Sequence, residues 1–260
     1  MRVHITSSGP RTGSTLIFEE IKRSYNWFRA SEHENHIFEI DKTIERYSED
    51  GYGILSKSPR HLIMVLFALM LRRDLFVISV IRDPRDVVLS KHSGAENEYY
   101  SDMSFFFRYL KLRNWFFRSS RFLEIRYEDF VTNTKMVQVT IHDFLRSNPK
   151  LKNTSERRIF ISKKAQNALG GIRPIDNTSV GKWKNPKFTP IIHHYYHVHG
   201  EHLASGIRLF GYEKFEIINP RKLNITALKS VKGDDRKIVR NFFLLIRSFV
   251  FNFIFCFSQR

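Results

Sequence analysis

The sequence predicts a three-layer α/β fold in which helices flank both faces of a central, mainly parallel sheet. Segments with strand character alternate with segments of helical character along the chain, an order typical of parallel sheets. The segment Leu75–Ile81 is continuously apolar, as expected of a central strand that is covered on both faces. A glycine-bearing turn joins the first strand to the first helix, which is the arrangement of P-loop-type folds.

Short β-branched or apolar runs that end at turn residues predict the strands. They are Arg2–Thr6, Gly53–Ser58, Leu75–Ile81 and Phe122–Tyr127, with the segment 36–40 as a further short candidate. Apolar residues at helical spacing, or an apolar run of helix length, predict the helices. One begins near Gly13 and one at Pro84 with Asp83 as N-cap, and the others are 60–72 (a buried helix), 104–118, 134–145, 156–168 and 190–205. Residues 170–190 are predicted to form a loop.

Length and composition predict one large domain with an appended tail. The 260 residues, 42% of them hydrophobic, suffice for one substantial core. We place the domain at 1–222 and the tail at 223–260, because the tail is basic as far as Arg240 and then strongly aromatic. Two interpretations of the tail stay open: a helix docked on the domain, or a helix in a membrane interface through 238–257, with Arg240 and Arg247 reaching the headgroups.

The net charge of +17 indicates an anionic partner, or else a generally basic composition. Candidate partners are a polyphosphorylated cofactor, an acidic polysaccharide, nucleic acid and a membrane surface. The single cysteine, Cys256, excludes an intramolecular disulfide and a cysteine-based zinc site. Because neither a signal peptide nor an uninterrupted apolar run of about 18 residues is evident, we expect a cytoplasmic protein, at the inner face of a membrane if the tail binds lipid.

The stretch Ser7–Leu16 (SSGPRTGSTL) is predicted to bind phosphate. A turn between a strand and a helix N-terminus aims backbone N–H groups and the positive end of the helix dipole at an anion. Here glycines permit a tight backbone path, an arginine supplies a positive fork, and hydroxyl groups supply further donors. These residues are Gly9, Gly13, Arg11, Ser14 and Thr15. The stretch is not a nucleoside-triphosphatase loop, because three residues separate its glycines and a serine stands where the lysine would be.

Two later segments add anion-binding groups at matching places in the predicted fold. Charged residues (RDPRD, 82–86) follow the central strand directly, where open α/β sheets bind ligands. The loop 181–184 (GKWK) carries two lysines and a tryptophan. A ligand with phosphates at both ends of a nucleoside would use all three places.

A known family has motifs similar to four segments of this chain, in the same order: PRTGST (Pro10–Thr15), RDPRDVVLS (Arg82–Ser90), IRYEDF (Ile125–Phe130) and VGKWKNPKFT (Val180–Thr189). It is the sulfotransferase family that uses 3′-phosphoadenosine 5′-phosphosulfate (PAPS) as donor. The first segment resembles the family's 5′-phosphosulfate loop, in the arginine form typical of carbohydrate- and protein-acting members. The second resembles its 3′-phosphate motif, the third its fourth-strand segment, and the last its late loop over the cofactor.

The resemblance implies PAPS as co-substrate, no required metal, and a set of binding residues. They are Pro10, Arg11, Thr12, Gly13, Ser14, Thr15, Arg82, Ser90, Tyr127, Gly181, Lys182 and Trp183. One feature of the family is missing, because Asp176-Asn177 replaces a basic pair that precedes the late glycine. Lys182 or Arg173 is therefore the candidate for the third contact with the 3′-phosphate.

The implied reaction is an in-line displacement, in which an acceptor hydroxyl attacks sulfur and the oxygen of the 5′-phosphate leaves. Arg11 would neutralise the departing phosphate, and Lys57, at a strand end, would hold the sulfuryl or bridging oxygens. The Lys-Thr-His motif of the cytosolic branch is replaced by Lys57-Ser58-Pro59, so its histidine base is absent. Members with Lys-x-Pro suggest a glutamate in the loop after the first helix. Glu32 matches best, followed by His61 and then by His33, Glu34 or His36.

Two other functions stay open. A P-loop kinase would use Asp83 as a magnesium ligand, although the absent lysine counts against it. A non-enzymatic nucleic-acid-binding protein would account for the charge, although no known nucleic-acid module is recognised. If the chain is a sulfotransferase, we expect a carbohydrate or anionic glycan as acceptor and no nucleic acid as partner. A small hydroxylated metabolite and a protein tyrosine are the other candidate acceptors.

Overall fold

The computed structural model of the protein describes residues 1–25, 28–34, 53–92, 95–99, 103–145 and 177–214. Its strands are β1 (Arg2–Ser7), β2 (Phe28–Glu34), β3 (Gly53–Lys57), β4 (Leu75–Ile81), β5 (Lys91–His92), β6 (Ala95–Tyr99) and β7 (Phe122–Arg126). The main feature is a five-stranded sheet in the order β2-β3-β1-β4-β7, in which every neighbouring pair is parallel. A separate antiparallel pair is formed by β5 and β6.

Within the described ranges, helices cover the main sheet and connect several of its strands. They are α1 (Ser14–Ser24), α2 (Leu62–Leu71), α3 (Pro84–Val88), α4 (Ser104–Phe116), α5 (Tyr127–Thr132), α6 (Thr134–Leu145) and α7 (Thr189–Leu209). Two short 3₁₀ turns, Lys182–Lys184 and Pro186–Phe188, precede α7, which is kinked at Gly200. No helix within the described ranges combines the length and apolar character needed to cross a bilayer.

The sheet is buried on both faces, as the apolar sequence of β4 predicts. Val77 of β4 lies in a hydrophobic cluster with α2, α4 and α7, whereas Ile78 lies in a second cluster with α1 and α6. Alternation of this kind follows from the pleat of a strand, which sends successive side chains to opposite faces. The predicted three-layer α/β class, with a parallel sheet between helices, is therefore confirmed.

The parallel register brings four strand ends to the same edge of the sheet. The pairs Ile5↔Lys57, Ser7↔Val80 and Ile81↔Arg126 align β1 with β3, β1 with β4, and β4 with β7. The residues that follow these ends must therefore converge at this carboxyl edge, which is where parallel sheets bind ligands.

Several elements agree closely with the prediction. β4 and α6 have the predicted bounds, and Pro84 begins α3 with Asp83 as N-cap, whose side chain accepts a hydrogen bond from the N–H of Arg85. Tyr127 was expected to end a strand but instead begins α5. The segment 60–72, predicted as a buried helix, does form α2, but only one side of the helix is buried, and the other side exposes Ile63 and Met70.

Three strands were missed for physical reasons. β2 has the sequence FRASEHE, which lacks apolar alternation, and the strand forms at the outer edge of the sheet beside β3. The small β5–β6 pair likewise has no apolar pattern. The candidate strand 36–40, the predicted helix 156–168, and the domain boundary at 222/223 with the whole tail lie outside the described residues.

Candidate active site

The turn between β1 and α1 follows a backbone path that few residues adopt. Gly9 has φ 149°, Arg11 has φ 67° and Gly13 has φ 92°. Left-handed conformations are strained for a side chain as large as arginine, and such strain is concentrated at functional sites. Two hydroxyls brace the path, because Ser7 Oγ and Thr12 Oγ1 donate to the carbonyl of Gly9 at 2.7 and 2.9 Å.

The amino end of α1 offers unused donors to a ligand. The backbone N–H groups of Gly13, Ser14 and Thr15 make no hydrogen bond within the described part of the chain. The first N–H groups of a helix have no partner inside the helix and lie at the positive end of its dipole. Lys57, buried at the end of β3, donates from Nζ to Thr15 Oγ1 at 2.9 Å, which places its ammonium group beside the same turn.

Gly13 is required for a second reason, because the ring of Tyr127 lies directly against it. A Cβ at position 13 would come within 2.3 Å of Tyr127 Cδ2. The hydroxyl of Tyr127 lies 2.7 Å from the Oγ of Ser179, the residue that leads into the late loop. The phenol side chain therefore packs between the β1–α1 turn and the late loop.

Arg82 links the same two loops. Its Nη1 donates to the carbonyl of Arg11 at 3.0 Å and its Nη2 to the carbonyl of Ser179 at 2.6 Å, while the guanidinium lies 4.5 Å from the ring centroid of Tyr127. The Nε–H is buried and has no hydrogen-bond acceptor among the described residues. A buried charged donor without an acceptor is unfavourable unless a ligand supplies one, so Arg82 fits an anionic ligand.

A buried ion pair directly follows Arg82 in the chain. Asp83 accepts from Arg85 at Nε and Nη2, with a closest distance of 2.6 Å, and both side chains are almost fully buried. Arg85 in turn lies 3.5 Å from the ring centroid of Trp183. Both carboxylate oxygens of Asp83 are thus committed to a guanidinium, which disfavours the alternative that Asp83 binds magnesium.

The carboxylate of Asp86 is hydrogen-bonded to the late loop. Its Oδ2 accepts from the N–H of Gly181 at 2.7 Å, and its Oδ1 accepts from the N–H of Trp183 at 3.1 Å. Burial raises the pKa of the Asp86 carboxyl, and the nearby Asp83 adds to the rise. Gly181 has φ 70°, so a glycine suits the bend that presents both N–H groups to one carboxylate.

Glu128, on α5, braces the segment after β4. Its Oε1 accepts from the N–H of Asp83 at 2.9 Å, and its Oε2 accepts from the hydroxyl of Tyr212 at 3.0 Å. Burial raises the pKa of the Glu128 carboxyl, and it raises the pKa of the Tyr212 phenol as well.

The remaining predicted binding residues occupy different environments. Ser90 lies just after α3, where its Oγ donates to the carbonyl of Asp86 at 3.1 Å. Pro10 is half-buried in the turn and Trp183 is buried, whereas Lys182 is exposed. The other candidate for the third 3′-phosphate contact, Arg173, lies outside the described residues.

The candidates for the catalytic base are divided between two strand ends. Glu32 and His33 belong to β2. Glu34, the last residue of β2, pairs with Lys57 of β3 after a shift in the register of the two strands. The side chains of these β2 residues and the whole of His36 lie outside the description. His61 is half-buried before α2, with Nδ1 2.6 Å from Ser58 Oγ.

Sequence reasoning missed one acidic side chain near Lys57. Glu19 lies one turn after Thr15 on α1; its Oε2 is 3.6 Å from Lys22 Nζ. Burial raises the pKa of the Glu19 carboxyl, while Lys22 and Lys57 oppose the rise. The i, i+4 spacing from Thr15 would have revealed that the two side chains share a face of the helix. Asp86, Glu128 and Ser179 were also missed, since their partners are distant in sequence.

No group of three or more metal-ligating side chains occurs within the described ranges. The donors of the site are instead those that suit an anion: helix amides, two guanidinium groups, an ammonium group and hydroxyls. They lie in two clusters, one at the β1–α1 turn and one at the segment after β4, which the late loop and Tyr127 join. This arrangement suits an elongated ligand that carries anionic groups.

Comparison with known proteins gives a fold relationship. No protein-family model matches the chain, and no curated protein sequence matches it. Among solved structures, the sulfotransferase domain of the Synechococcus PCC 7002 olefin synthase is similar with a TM-score of 0.56 at 15% identity, covering 83% of this chain and 96% of that one. The sulfotransferase domain from the curacin biosynthetic pathway has a TM-score of 0.52 at 16% identity, over 81% and 97% of the two chains.

A third similar structure carries a nucleotide. Mouse sulfotransferase SULT7A1, solved in complex with PAP, has a TM-score of 0.50 at 14% identity and is covered over 84% of its length by 80% of this chain. At these identities the similarity establishes the architecture alone. The chain shares the fold of solved sulfotransferases.

Proposed function

We propose that this protein is a sulfotransferase that moves the sulfuryl group of PAPS to a hydroxyl group of an acceptor. The observation that carries the proposal is Arg82, whose guanidinium donates to the carbonyls of Arg11 and Ser179 and whose buried Nε–H has no acceptor in the described part of the chain. One side chain thus joins the two loops that the motifs assign to the nucleotide. The fold shared with a PAP-bound sulfotransferase supports the same interpretation.

In this proposal the β1–α1 turn holds the 5′-phosphate end of the donor. The N–H groups of residues 13–15 and the hydroxyls of Ser14 and Thr15 donate to phosphate oxygens, with the helix dipole adding a favourable field. Arg82 and Ser90 would hold the 3′-phosphate, and the ring of Tyr127 would line the adenosine site. The donor supplies the activated sulfuryl group when it is bound.

The residues beside the turn would stabilise the transfer. Lys57 lies 2.9 Å from Thr15 Oγ1, so its ammonium group can donate to oxygens at the 5′ end as negative charge develops on the leaving phosphate. Arg11 would share that role. A carboxylate or imidazole from β2, with Glu32 as the first candidate, or else His61, would remove the proton of the acceptor hydroxyl.

For the acceptor we propose a carbohydrate, or more narrowly an anionic glycan. The support is the net charge of +17, which attracts anionic substrates, and the arginine form of the first motif. We also propose that the protein acts in the cytoplasm and that the aromatic segment 238–257 touches the inner face of a membrane. Both statements rest on the sequence.

Incubation of the purified protein with radiolabelled PAPS and an extract of its own cells tests the proposal. We expect label to appear in a hydroxylated product, without added magnesium. Transfer of label from γ-labelled ATP in the presence of magnesium, with none from PAPS, would instead favour the kinase alternative. Salt-sensitive binding to single- or double-stranded DNA, with no binding of PAP, would favour the nucleic-acid-binding alternative.

A further inference from the structure

We propose that the adjoining ends of α2 and α4 form a contact surface for an anionic lipid bilayer. We call it the arginine-rimmed surface. Its apolar side chains and its arginines are Met70, Leu71, Trp115 and Phe117, with Arg72, Arg73 and Arg118. The proposal is independent of the proposed enzymatic function and of the prediction for the C-terminal tail.

The apolar side chains of this surface are unusually exposed. Met70 is 65% exposed and Leu71 62%, while Trp115 is 50% and Phe117 49% exposed. A single exposed apolar side chain is ordinary on a protein surface, but a group rimmed by charges marks a contact site. These side chains form one surface only if the ends of α2 and α4 lie together.

Arg121 holds the two helix ends together. It follows α4 in the chain, and its guanidinium donates to the carbonyl of Leu69 at 2.7 Å and of Leu75 at 3.1 Å, with a further bond to the carbonyl of Arg72. The carbonyls of Leu69 and Arg72 lie at the end of α2, where backbone acceptors lack partners inside the helix. On the other side, the ring of Phe117 lies 5.1 Å from that of Phe122, the residue after Arg121.

The charges around the apolar residues are positive. Arg73 and Arg118 are exposed, and the guanidinium of Arg118 lies 4.1 Å from the ring centroid of Trp115. The neighbouring acid, Asp74, is paired with Arg2 at 2.7 Å and so contributes little net negative field. Exposed tryptophan and leucine between arginines suit the headgroup region of a bilayer, where the rings and aliphatic chains enter and the guanidinium groups bind phosphate.

A second copy of the chain is a poorer occupant for the same surface. A twofold contact would bring this arginine rim against its own counterpart. The repulsion between two proteins that each carry a charge of +17 would add to that cost. Anionic lipid offers the opposite charge together with an apolar interior.

The surface lies at the opposite edge of the sheet from the candidate active site. It adjoins the starts of β4 and β7, at Leu75 and Phe122, whereas the phosphate-binding turn follows the end of β1. A strand of six residues spans about 20 Å, so a protein bound by this surface would hold its crevice about 20 Å above the lipid. The acceptor would then approach from the aqueous side.

Site-specific labelling of the full-length chain tests the proposal. On a Cys256→Ser background, Leu71→Cys provides an attachment point for bimane on the surface, and Val139→Cys on the exposed side of α6 provides the matched control. We expect vesicles that contain phosphatidylglycerol to shift the emission to the blue for the Leu71→Cys protein only. In unlabelled protein, Arg73→Glu should weaken sedimentation with these vesicles about fivefold or more, because one arginine near an anionic surface contributes about that factor.

Three results would overturn the proposal. Binding of the vesicles with no shift at Leu71→Cys would place the contact elsewhere in the chain. Equal shifts at both labelled positions would indicate unspecific adsorption. A shift without vesicles that grows with protein concentration would identify a second copy of the chain as the occupant.

Discussion

The carboxylate of Asp86 accepts a 2.7 Å hydrogen bond from the backbone N–H of Gly181, although 95 positions separate the two residues. The same carboxylate accepts from the N–H of Trp183 at 3.1 Å. The segment after the central strand therefore has two roles: Arg82 faces the crevice, and Asp86 anchors the loop that adjoins it. The geometry of the site depends on this anchor.

Asp86→Asn is expected to release the late loop. The amide keeps one acceptor oxygen but turns its NH₂ group toward one of the two loop N–H groups, which leaves that donor unpaired at a cost of about 1–3 kcal/mol. Limited trypsin digestion should cut faster after Lys182, Lys184 and Lys187, as read by mass spectrometry, and PAP should bind more weakly. Asp143→Asn, at an exposed position of α6, is the matched control. Unchanged cleavage in Asp86→Asn would contradict the anchoring role.

Arg82→Ala and Arg11→Ala are each expected to weaken PAP binding about tenfold to a hundredfold, because each removes a charge-assisted donor to phosphate. Isothermal titration calorimetry measures the affinity, and circular dichroism checks that the proteins remain folded. Arg208→Ala, an exposed substitution at the end of α7, serves as control. Unchanged affinity in both site variants would refute their assignment to the nucleotide.

Gly13→Ala is expected to disrupt the site more than Gly200→Ala. Both glycines have positive φ, 92° and 46°, so both substitutions carry backbone strain. Only at position 13 would the new Cβ also meet a ring, with Tyr127 Cδ2 at 2.3 Å, whereas nothing lies within 4 Å at position 200. Thermal unfolding and PAP affinity should therefore both fall further for Gly13→Ala. Equal effects would show that the contact between Gly13 and Tyr127 is unimportant.

Glu128→Gln is expected to change how stability depends on pH. Burial raises the pKa of Glu128 above its ordinary value of 4.5, so between 4.5 and the raised value the folded protein holds a proton that the unfolded chain has released. The stability that this group contributes is complete below pH 4.5 and is lost as the pH rises through the raised pKa. Urea unfolding at a series of pH values should show a shallower decline in Glu128→Gln than in the wild type. An identical slope in the two proteins would contradict a raised pKa.

Much of the fold follows from local signals in the sequence. The apolar run of β4 and the Asp83-Pro84 cap place the central strand and α3 correctly, because burial on both faces and helix capping are local requirements. β2 escaped prediction because its sequence is largely polar and lacks apolar alternation. One side of α2 is exposed even though the whole helix is apolar, so hydrophobicity without periodicity did not reveal which side faces water.

The candidate site was likewise predicted only in part from the sequence. Arg82, Tyr127 and the β1–α1 turn each follow a predicted strand, and they lie at one edge of the sheet because those strands are parallel. The support around them depends on contacts between distant residues, such as Asp86 with Gly181, or Glu128 with Tyr212. The sequence around an acidic residue does not indicate which distant N–H or hydroxyl group it will accept from after folding, so these pairs could be identified only from the structure.

The most direct test of the account is a crystal structure of the protein with PAP bound. The account predicts the 5′-phosphate at the amide groups of residues 13–15, the 3′-phosphate against Arg82 and Ser90, and the adenosine beside Tyr127. A nucleotide bound elsewhere, or bound with Arg82 directed away from both phosphates, would contradict the central claim.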